Sequence, residues 1–455
     1  MKNGKLQLTR RNILAKGNGL SLMTLVLALC LVVSVFLIMP HSGEAATKEL
    51  KIGALVNLKS QQGIEMQRWL NLFAKMYNEK GGWQIGGEKY QVKPMVYDCG
   101  QNDVSKTRSA AERAVLQDGV KFIVATWGDV AAESITVTEP NKVLWMGVDF
   151  TNATVDPKFK YVVRGQGLFF GYGMGFTIQK DTKAKGAKTD LIIDPDFQMG
   201  KIGTSQWTGS AKVAGLQVLE PLFFNMSTTD FGPLATKIKA ANPDFLEMPF
   251  VTGDQITNIV AALKDAGYKG KVYPGNIDPV VLDNIVKKVG KEYVEGWECV
   301  YYDPKGVVKD PEIVALIDSY VKEYKEWRSE GCFWISPWFF FKDAIENTKS
   351  VDVDVVVKYL QNSKKAVKTF EGYSQLFARP DLKNYKTIDS APGCMVAIIK
   401  DGKLVPLKVV AVKDQYLVSI KAMGLVDVYE KYWAEYGKPT FPPQPSLYDF
   451  SDLNM

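Results

Sequence analysis

Apolar and polar residues follow two different rhythms along the chain from Leu50 onward. Lys51 to Val56 is a compact apolar run of strand length. In the stretch that follows, apolar residues recur at i, i+3, i+4 and i+7, as on one buried face of a helix: Trp69, Leu72, Phe73 and Met76. The order of strand and helix then repeats through Val148. Strands that alternate with helices of this length indicate βαβ units and a parallel sheet covered on both faces.

The alternation starts again after Arg164. Asp190 to Asp194 and Asp244 to Met248 are strand-like runs, each followed by residues with helical spacing. A third section, from Cys299 to Ala411, mixes both patterns and has the length to return to both units. Two similar α/β units in succession favour two lobes over one large sheet. The expected fold class is therefore α/β, with two doubly wound parallel-sheet lobes.

The first 45 residues have the features of an export signal. A basic segment, residues 2–16, precedes the apolar run Leu20 to Met39, and small residues before Ala46 suit cleavage after Ala45. Thr9-Arg10-Arg11 leaves twin-arginine export open. The apolar run also has the roughly 20 residues that cross a bilayer, so an uncleaved anchor remains an alternative. We expect a periplasmic or extracytoplasmic protein.

Without that segment the chain is nearly neutral. Its formal charge of +6 comes largely from the leader, which holds five basic residues and one acid. No basic run remains, so a nucleic-acid partner is not expected. The single histidine, His41, also lies in the leader, which excludes a Ser-His-Asp triad or a His-ligated zinc site from the mature chain. We expect no enzymatic activity, no metal and no cofactor.

Four cysteines follow the leader: Cys99, Cys299, Cys332 and Cys394. An exported protein is in a compartment that permits disulfides. Four cysteines allow three connectivities, and the sequence does not choose among them.

An ordered set of motifs resembles one family. Strand and helix are followed by Asn78-x-x-Gly81-Gly82-x-x-Ile85-Gly86-Gly87, a strand ending in Tyr97-Asp98, and a helix before Asp118-Gly119-Val120-x-x-Ile123. This order resembles the type I periplasmic binding proteins of the branched-chain amino acid (Leu/Ile/Val) receptor family. The resemblance covers about residues 48–415.

The resemblance implies two lobes joined by three hinge crossings. They would fall near Arg164 to Leu168, Trp297 to Tyr301, and Gly393 to Val396. The expected division is a signal peptide at 1–45, lobe 1 at 46–165 and 301–392, lobe 2 at 166–300 and 393–430, and a C-terminal tail at 431–455.

The family binds its ligand in the cleft, at the carboxyl ends of the strands, where helix N-termini offer free N–H groups. In the first lobe the matching loop is Trp127-Gly128-Asp129, in which Gly128 or Asp129 replaces the family's serine. Asp129 is alternatively an N-cap. The next loop gives Phe150, Thr151 and Asn152, and Thr151 aligns with a hydroxyl contact of the family.

Further candidates come from both lobes. Gln62 takes the place of an aromatic contact, and Met199 and Phe250 take the places of two tyrosines. Asp278 falls where the family places the acid that holds a ligand ammonium, or it is a turn aspartate before Pro279. Trp334 and Trp338 could line the cleft or belong to a helix core, and the core is the favoured interpretation.

These departures make the expected pocket more apolar than the family's amino acid site. The resemblance implies a substrate-binding protein of an ABC importer, a monomer that works with an inner-membrane permease and its ATPase. Its ligand would be a hydrophobic or branched-chain amino acid, or a related carboxylate or amide, captured by hinge closure. Two alternatives stay open: a membrane-tethered sensory receptor of the same fold, and a binder of aromatic or short-chain organic acids.

Overall fold

The computed structural model describes residues 48–100, 103–126, 131–251 and 253–450. The predicted leader and the candidate contacts Trp127, Gly128 and Asp129 lie outside the described residues. Among the helices within these ranges, none combines the length and the apolar character that a membrane span requires.

The strands of the described residues are β1 Lys48–Val56, β2 Trp83–Ile85, β3 Glu88–Asp98, β4 Phe122–Thr126, β5 Leu144–Val148, β6 Val162–Gln166, β7 Thr189–Pro195, β8 Gln217–Val218, β9 Leu222–Phe224, β10 Phe245–Glu247, β11 Lys271–Tyr273, β12 Glu298–Tyr301, β13 Ala366–Thr369, β14 Gly372–Arg379, β15 Asn384–Pro392, β16 Cys394–Lys400 and β17 Lys403–Val410.

The α-helices of the same residues are α1 Gln61–Asn78, α2 Val104–Glu112, α3 Ala131–Thr138, α4 Leu168–Ala184, α5 Gln198–Ala214, α6 Gly232–Ala241, α7 Gly253–Asp265, α8 Pro279–Val289, α9 Lys291–Val294, α10 Pro311–Tyr324, α11 Glu330–Ile335, α12 Pro337–Thr348, α13 Val353–Leu360, α14 Val412–Ala422 and α15 Val426–Tyr436.

A large sheet organises the first region of the molecule. Within the described ranges it has nine strands, in the order β13-β14-β15-β6-β5-β4-β1-β3-β2. The strands from β15 to β3 pair in parallel, and β13, β14 and β2 add antiparallel edges. We call these strands, with the helices packed on them, the large-sheet region.

Strand β5 shows why the sequence pattern is so uniformly apolar here. All five of its residues are buried. Leu144 and Met146 belong to the cluster that contains Trp69 of α1, whereas Trp145 belongs to the cluster that contains Ala110 of α2. Because helices cover both faces of the sheet, alternate residues of the strand both need apolar side chains.

The second region holds two smaller sheets. Strands β11, β10, β7 and β8 lie side by side in parallel, with β9 also paired to β7, and β12, β16 and β17 form an antiparallel sheet. A bridge between Asn276 and Val300 connects the two. Helices α4, α5 and α14 pack against one another in this region. We call it the small-sheet region.

The described chain passes between these regions at three places. It leaves the large sheet after Gln166 and enters α4; it returns after Tyr301 to α10, which packs on α1; and it leaves again between Pro392 and Cys394. The fold class is the expected one, two parallel-sheet α/β regions joined by three crossings. The C-terminal segment is more integrated than a surface tail: α15 runs across the expected boundary at 431, and Phe450 is buried.

The four cysteines of the described chain are buried free thiols. Cys99 belongs to the large-sheet region and Cys299 and Cys394 to the small-sheet region. The connectivities that the sequence left open are therefore not used in this structure.

Candidate functional site

A cavity of about 110 Å³ lies between the two regions. We call it the central cavity. Its walls on the large-sheet side come from α1, the loop after β5, and α11, which packs on α1: Gln62, Phe150, Glu330, Phe333 and Trp334. Its walls on the small-sheet side are Phe170, Gly171, Pro195, Phe197, Met199, Trp207, Met226, Pro249, Phe250, Val251, Gly253, Tyr273, Asn276, Val300 and Tyr302.

The topology explains why these residues meet. Phe150 follows the end of β5, Met199 follows β7, Phe250 follows β10, and Asn276 follows β11. The carboxyl ends of parallel strands meet at one edge of a sheet, and that edge is where open α/β sheets bind ligands. The central cavity therefore lies at the common edge of both parallel sheets.

Nine of the twenty lining residues that the structure describes are aromatic, and their contacts cross from one region to the other. Phe150 meets Phe250 edge-on at 5.8 Å between ring centroids, and Phe170 contacts Phe333 at 4.6 Å. Tyr302 stacks on Phe333 at 4.8 Å. Because small-molecule sites are lined mostly by apolar and aromatic side chains, this space suits a solute with a small apolar body.

Glu330 brings charge to the lining. Burial, and after it the negative charge of nearby Asp278, raises its pKa to about 7, although the positive charge of Arg328 opposes the shift. More distant carboxylates of Glu65 and Asp254 act in the same direction as Asp278. Around neutral pH, this side chain exchanges between its neutral and charged forms.

An ion pair spans the two regions beside the central cavity. Nη2 of Arg328 lies 2.7 Å from Oδ2 of Asp278 and 3.7 Å from Oε2 of Glu330. Arg328 lies between α10 and α11 of the large-sheet region, whereas Asp278 is the N-cap of α8 and accepts a hydrogen bond of 2.8 Å from the backbone N–H of Val281. The guanidinium therefore holds a carboxylate of the opposite region.

A family profile described as "Periplasmic binding protein" matches residues 49–385. The chain belongs to the periplasmic binding protein family. Its similarity to individual binding proteins extends over the whole fold in solved structures and over about half the length of curated relatives.

Two solved structures share its fold. The closed form of a leucine-, isoleucine-, valine-, threonine- and alanine-binding protein from Brucella ovis is 20% identical, with a TM-score of 0.64 over 81% of this chain and 97% of that one. An ABC transporter solute-binding protein from R. palustris in complex with 4-hydroxybenzoate is 18% identical, with a TM-score of 0.63 over 80% of this chain and 97% of that one.

The similarity to a curated relative covers a shorter part of the chain. The Leu/Ile/Val-binding protein homolog 6 of Brucella melitensis is 22% identical over 195 residues, which are 42% of this chain and 49% of the relative. This binding protein thus spans about half the length of the curated relatives it matches.

Four of the predicted contacts of this periplasmic binding protein meet in the central cavity: Gln62, Phe150, Met199 and Phe250. Each of the four lies shortly after the end of a strand or in the first turn of a helix. Trp334, expected in a helix core, lines the cavity as well, whereas Trp338 packs in the core against Phe73.

The structure does not bring three other predicted contacts to the central cavity. Thr151 and Asn152 line a separate hollow with Arg379. The Thr151 hydroxyl donates to Asp149 at 2.9 Å, and Oδ1 of Asn152 accepts from Nη2 of Arg379 at 3.2 Å. The carboxylate of Asp278 is engaged by Arg328 and by the start of α8, as an N-cap.

Sequence reasoning missed Glu330, Phe333, Tyr302 and Phe170. A local signal existed for the first two, since Glu330, Phe333 and Trp334 have the i, i+3, i+4 spacing of one helix face. Among the residues that the structure describes, no group of three or more His, Cys, Asp or Glu side chains is arranged to hold a metal ion.

Proposed function

We propose that this protein captures a small organic solute outside the cytoplasm and delivers it to an ABC importer, an inner-membrane permease with its ATPase. The observation that carries the proposal is the central cavity, whose aromatic walls come from both regions. A solute held there contacts both regions at once. Its binding energy therefore favours the arrangement in which the two regions are closed on it.

Closure changes the surface of the protein that the importer contacts. When the regions separate, the edge-on contact between Phe150 and Phe250 and the ion pair between Arg328 and Asp278 must both break. A bound solute adds contacts to both regions that exist in the closed form only, so it stabilises that form further. We propose that the permease distinguishes the closed form from the open form.

The proposed ligand is first a hydrophobic or branched-chain amino acid. The small, mainly apolar space favours an aliphatic or aromatic body over a sugar or a peptide. Solved relatives include a protein named for leucine, isoleucine and valine binding and one in complex with 4-hydroxybenzoate, which makes an aromatic acid the second candidate.

A thermal unfolding screen tests this function. Purified protein lacking residues 1–45 should melt at a higher temperature with a hydrophobic amino acid present, because a ligand that binds only the folded state adds RT ln(1 + [L]/Kd) to the free energy of unfolding. Small-angle scattering should then show a more compact, still monomeric particle with ligand. A panel of amino acids, amides and aromatic acids that shifts nothing would contradict the proposal, as would turnover of the solute.

The mature N-terminus separates the importer component from the sensory receptor of the same fold. We propose cleavage after Ala45, which releases the protein from the membrane. Mass spectrometry of protein from an exporting host should find a chain that starts at Ala46. Retention of Leu20 to Met39 in the membrane fraction would favour the tethered receptor instead.

A further inference from the structure

Glu330 contributes the carboxylate of the central cavity within the described part of the chain. Neither lysine nor arginine is found among the described residues of its lining, and the chain's one histidine lies in the leader. The charged contact of Glu330 there is Nη2 of Arg328 at 3.7 Å, which is longer than a hydrogen bond. Its oxygens therefore keep capacity for a donor from a ligand.

Asp278, the acid expected from the family resemblance, already has a partner at each carboxylate oxygen. One oxygen accepts the backbone N–H of Val281 at 2.8 Å, and the other lies 2.7 Å from Nη2 of Arg328. An internal guanidinium thus occupies the position where a ligand ammonium would otherwise be held. Breaking that pair would leave Arg328 without its partner, which is costly for a partly buried charge.

The surroundings of Glu330 suit a cation. Phe333 and Trp334 follow it at i+3 and i+4 on the same short helix, and both line the cavity. Aromatic faces attract ammonium groups, which adds about 0.5–2 kcal/mol depending on desolvation. A carboxylate beside aromatic faces is favourable for an ammonium and unfavourable for an anion.

We propose that Glu330, in place of Asp278, is the anionic contact for a ligand ammonium, and that this site therefore selects small apolar solutes that carry an ammonium group over those that carry only a carboxylate. This assignment rests on the proposed solute-binding function. It makes Glu330 the specificity-determining residue of the central cavity.

The assignment requires a particular pH dependence. The groups that face Glu330 are Asp278 of α8, Arg328 before α11, Glu65 of α1 and Asp254 of α7, and the pKa of Glu330 among them is about 7. An ammonium binds the ionised form, so affinity should be constant above pH 8. Below pH 7 it should fall, approaching about tenfold per pH unit.

Three probes with one branched aliphatic body test the charge preference: L-leucine, 3-methylbutylamine, which lacks the carboxylate, and 4-methylpentanoate, which lacks the amine. The amine stays protonated over this pH range, as a lysine with its pKa of about 10.4 does. By titration calorimetry of the protein lacking residues 1–45, we expect leucine and the amine to bind and 4-methylpentanoate and benzoate to bind at least about tenfold more weakly.

Glu330→Gln should weaken leucine and amine binding by about tenfold or more and remove the pH dependence. Glu326→Gln is the matched control, since Glu326 is a half-exposed acid in the same segment that pairs with Arg68. Unliganded melting curves of both variants establish that they fold.

The binding results separate the role of Glu330 from the proposed solute-binding function. Tight binding of the anionic probes, or cation binding that survives Glu330→Gln unchanged, overturns the role of Glu330 and leaves the solute-binding function in place. Binding of none of the four probes overturns the assignment together with the proposed ligand class.

Discussion

Two clusters of buried carboxyl groups, one in each region of this periplasmic binding protein, are neutralised in opposite ways. In the large-sheet region, Asp389 of β15 accepts hydrogen bonds from Nε of Arg164 at 2.8 Å and from Nη1 of Arg379 at 3.0 Å, and all three side chains are buried. In the small-sheet region, Asp190 of β7 and Glu247 of β10 are buried as close neighbours on adjacent strands. Glu247 accepts a hydrogen bond of 2.7 Å from the neutral amide of Gln179 and shares another with Asp190.

The two clusters differ in whether the buried carboxyl group is ionised or protonated. A buried carboxylate beside arginines stays ionised because the nearby positive charges stabilise it, whereas a buried carboxylate without a cation takes up a proton. Burial raises the pKa of Asp190 to about 7, and burial together with the charge of Asp190 holds the pKa of Glu247 well above its usual range. The Asp389 cluster of the large-sheet region is therefore held by ion pairs, whereas the Asp190 and Glu247 pair of the small-sheet region depends on protons.

The largest effect should come from breaking the ion pairs of the large-sheet region. Asp389→Ala leaves Arg164 and Arg379 buried without the carboxylate they share. We expect the free energy of unfolding to fall by about 3–5 kcal/mol, as for other buried pairs that lose one partner. Chemical denaturation followed by circular dichroism measures it.

Asp401→Asn is the control for that prediction, because asparagine tolerates the left-handed backbone of this position (φ 51°) as aspartate does. Asp401 pairs with Lys291 at the surface, and its side chain is 80% exposed. Loss of its charge should leave the denaturation midpoint nearly unchanged. Equal effects of the two substitutions would break the distinction between structural and surface ion pairs drawn above.

The second effect is a pH dependence that comes from Asp190 of the small-sheet region. Because the pKa of Asp190 in the folded protein, about 7, lies above its value of about 4 in an unfolded chain, the folded state keeps a proton that the unfolded state has released between these values. The free energy of unfolding should therefore fall as the pH rises from about 4 to 7, and stay low above it.

Asp190→Asn should remove much of this loss. At pH 8 the variant should be more stable than the parent protein by about 1–3 kcal/mol, and at pH 5 the two should be similar. Thermal unfolding at both pH values measures the difference. Asp196→Asn, at an exposed acid of the same region, should keep the parent's pH dependence; a parent protein equally stable at pH 5 and pH 8 would contradict the prediction.

The sequence predicted the fold because its signals are local. The parallel strands are buried on both faces, so runs such as Asp190 to Asp194 stand out, and helices show their apolar stripe, as α1 does. The four predicted contacts that line the central cavity, Gln62, Phe150, Met199 and Phe250, were placed by the resemblance to the family. They lie where a strand ends or a helix begins, and such positions can be aligned with those of the family without knowing any distant partner.

The remaining part of the site depends on partners far away in sequence. Nothing near Asp278 indicates that Arg328, 50 residues later, takes its carboxylate. Thr151 is different, because Asp149 lies only two residues before it and accepts from its backbone N–H at 3.0 Å, the local turn that aspartate commonly forms. Glu330 follows an irregular stretch after α10, so its position depends on how α11 packs on α1.

The smallest effect should be at the ion pair that joins the two regions. Arg328 extends the arginine-carboxylate pairing of the large-sheet region to an acid of the small-sheet region, but at 21% exposure its pairing is partly screened by water. Arg328→Gln should weaken ligand binding about fivefold, or about 1 kcal/mol, because the closed form loses one contact between the regions. Arg113→Gln, at an arginine with 67% exposure that pairs within the large-sheet region, should bind as the parent does.

The pair between Arg328 and Asp278 acts only when the two regions are together. Its loss should therefore appear as faster ligand release and a less compact liganded particle by small-angle scattering, with little change in the unliganded melting temperature. A drop in that melting temperature as large as that of Asp389→Ala would place Arg328 with the structural ion pairs instead.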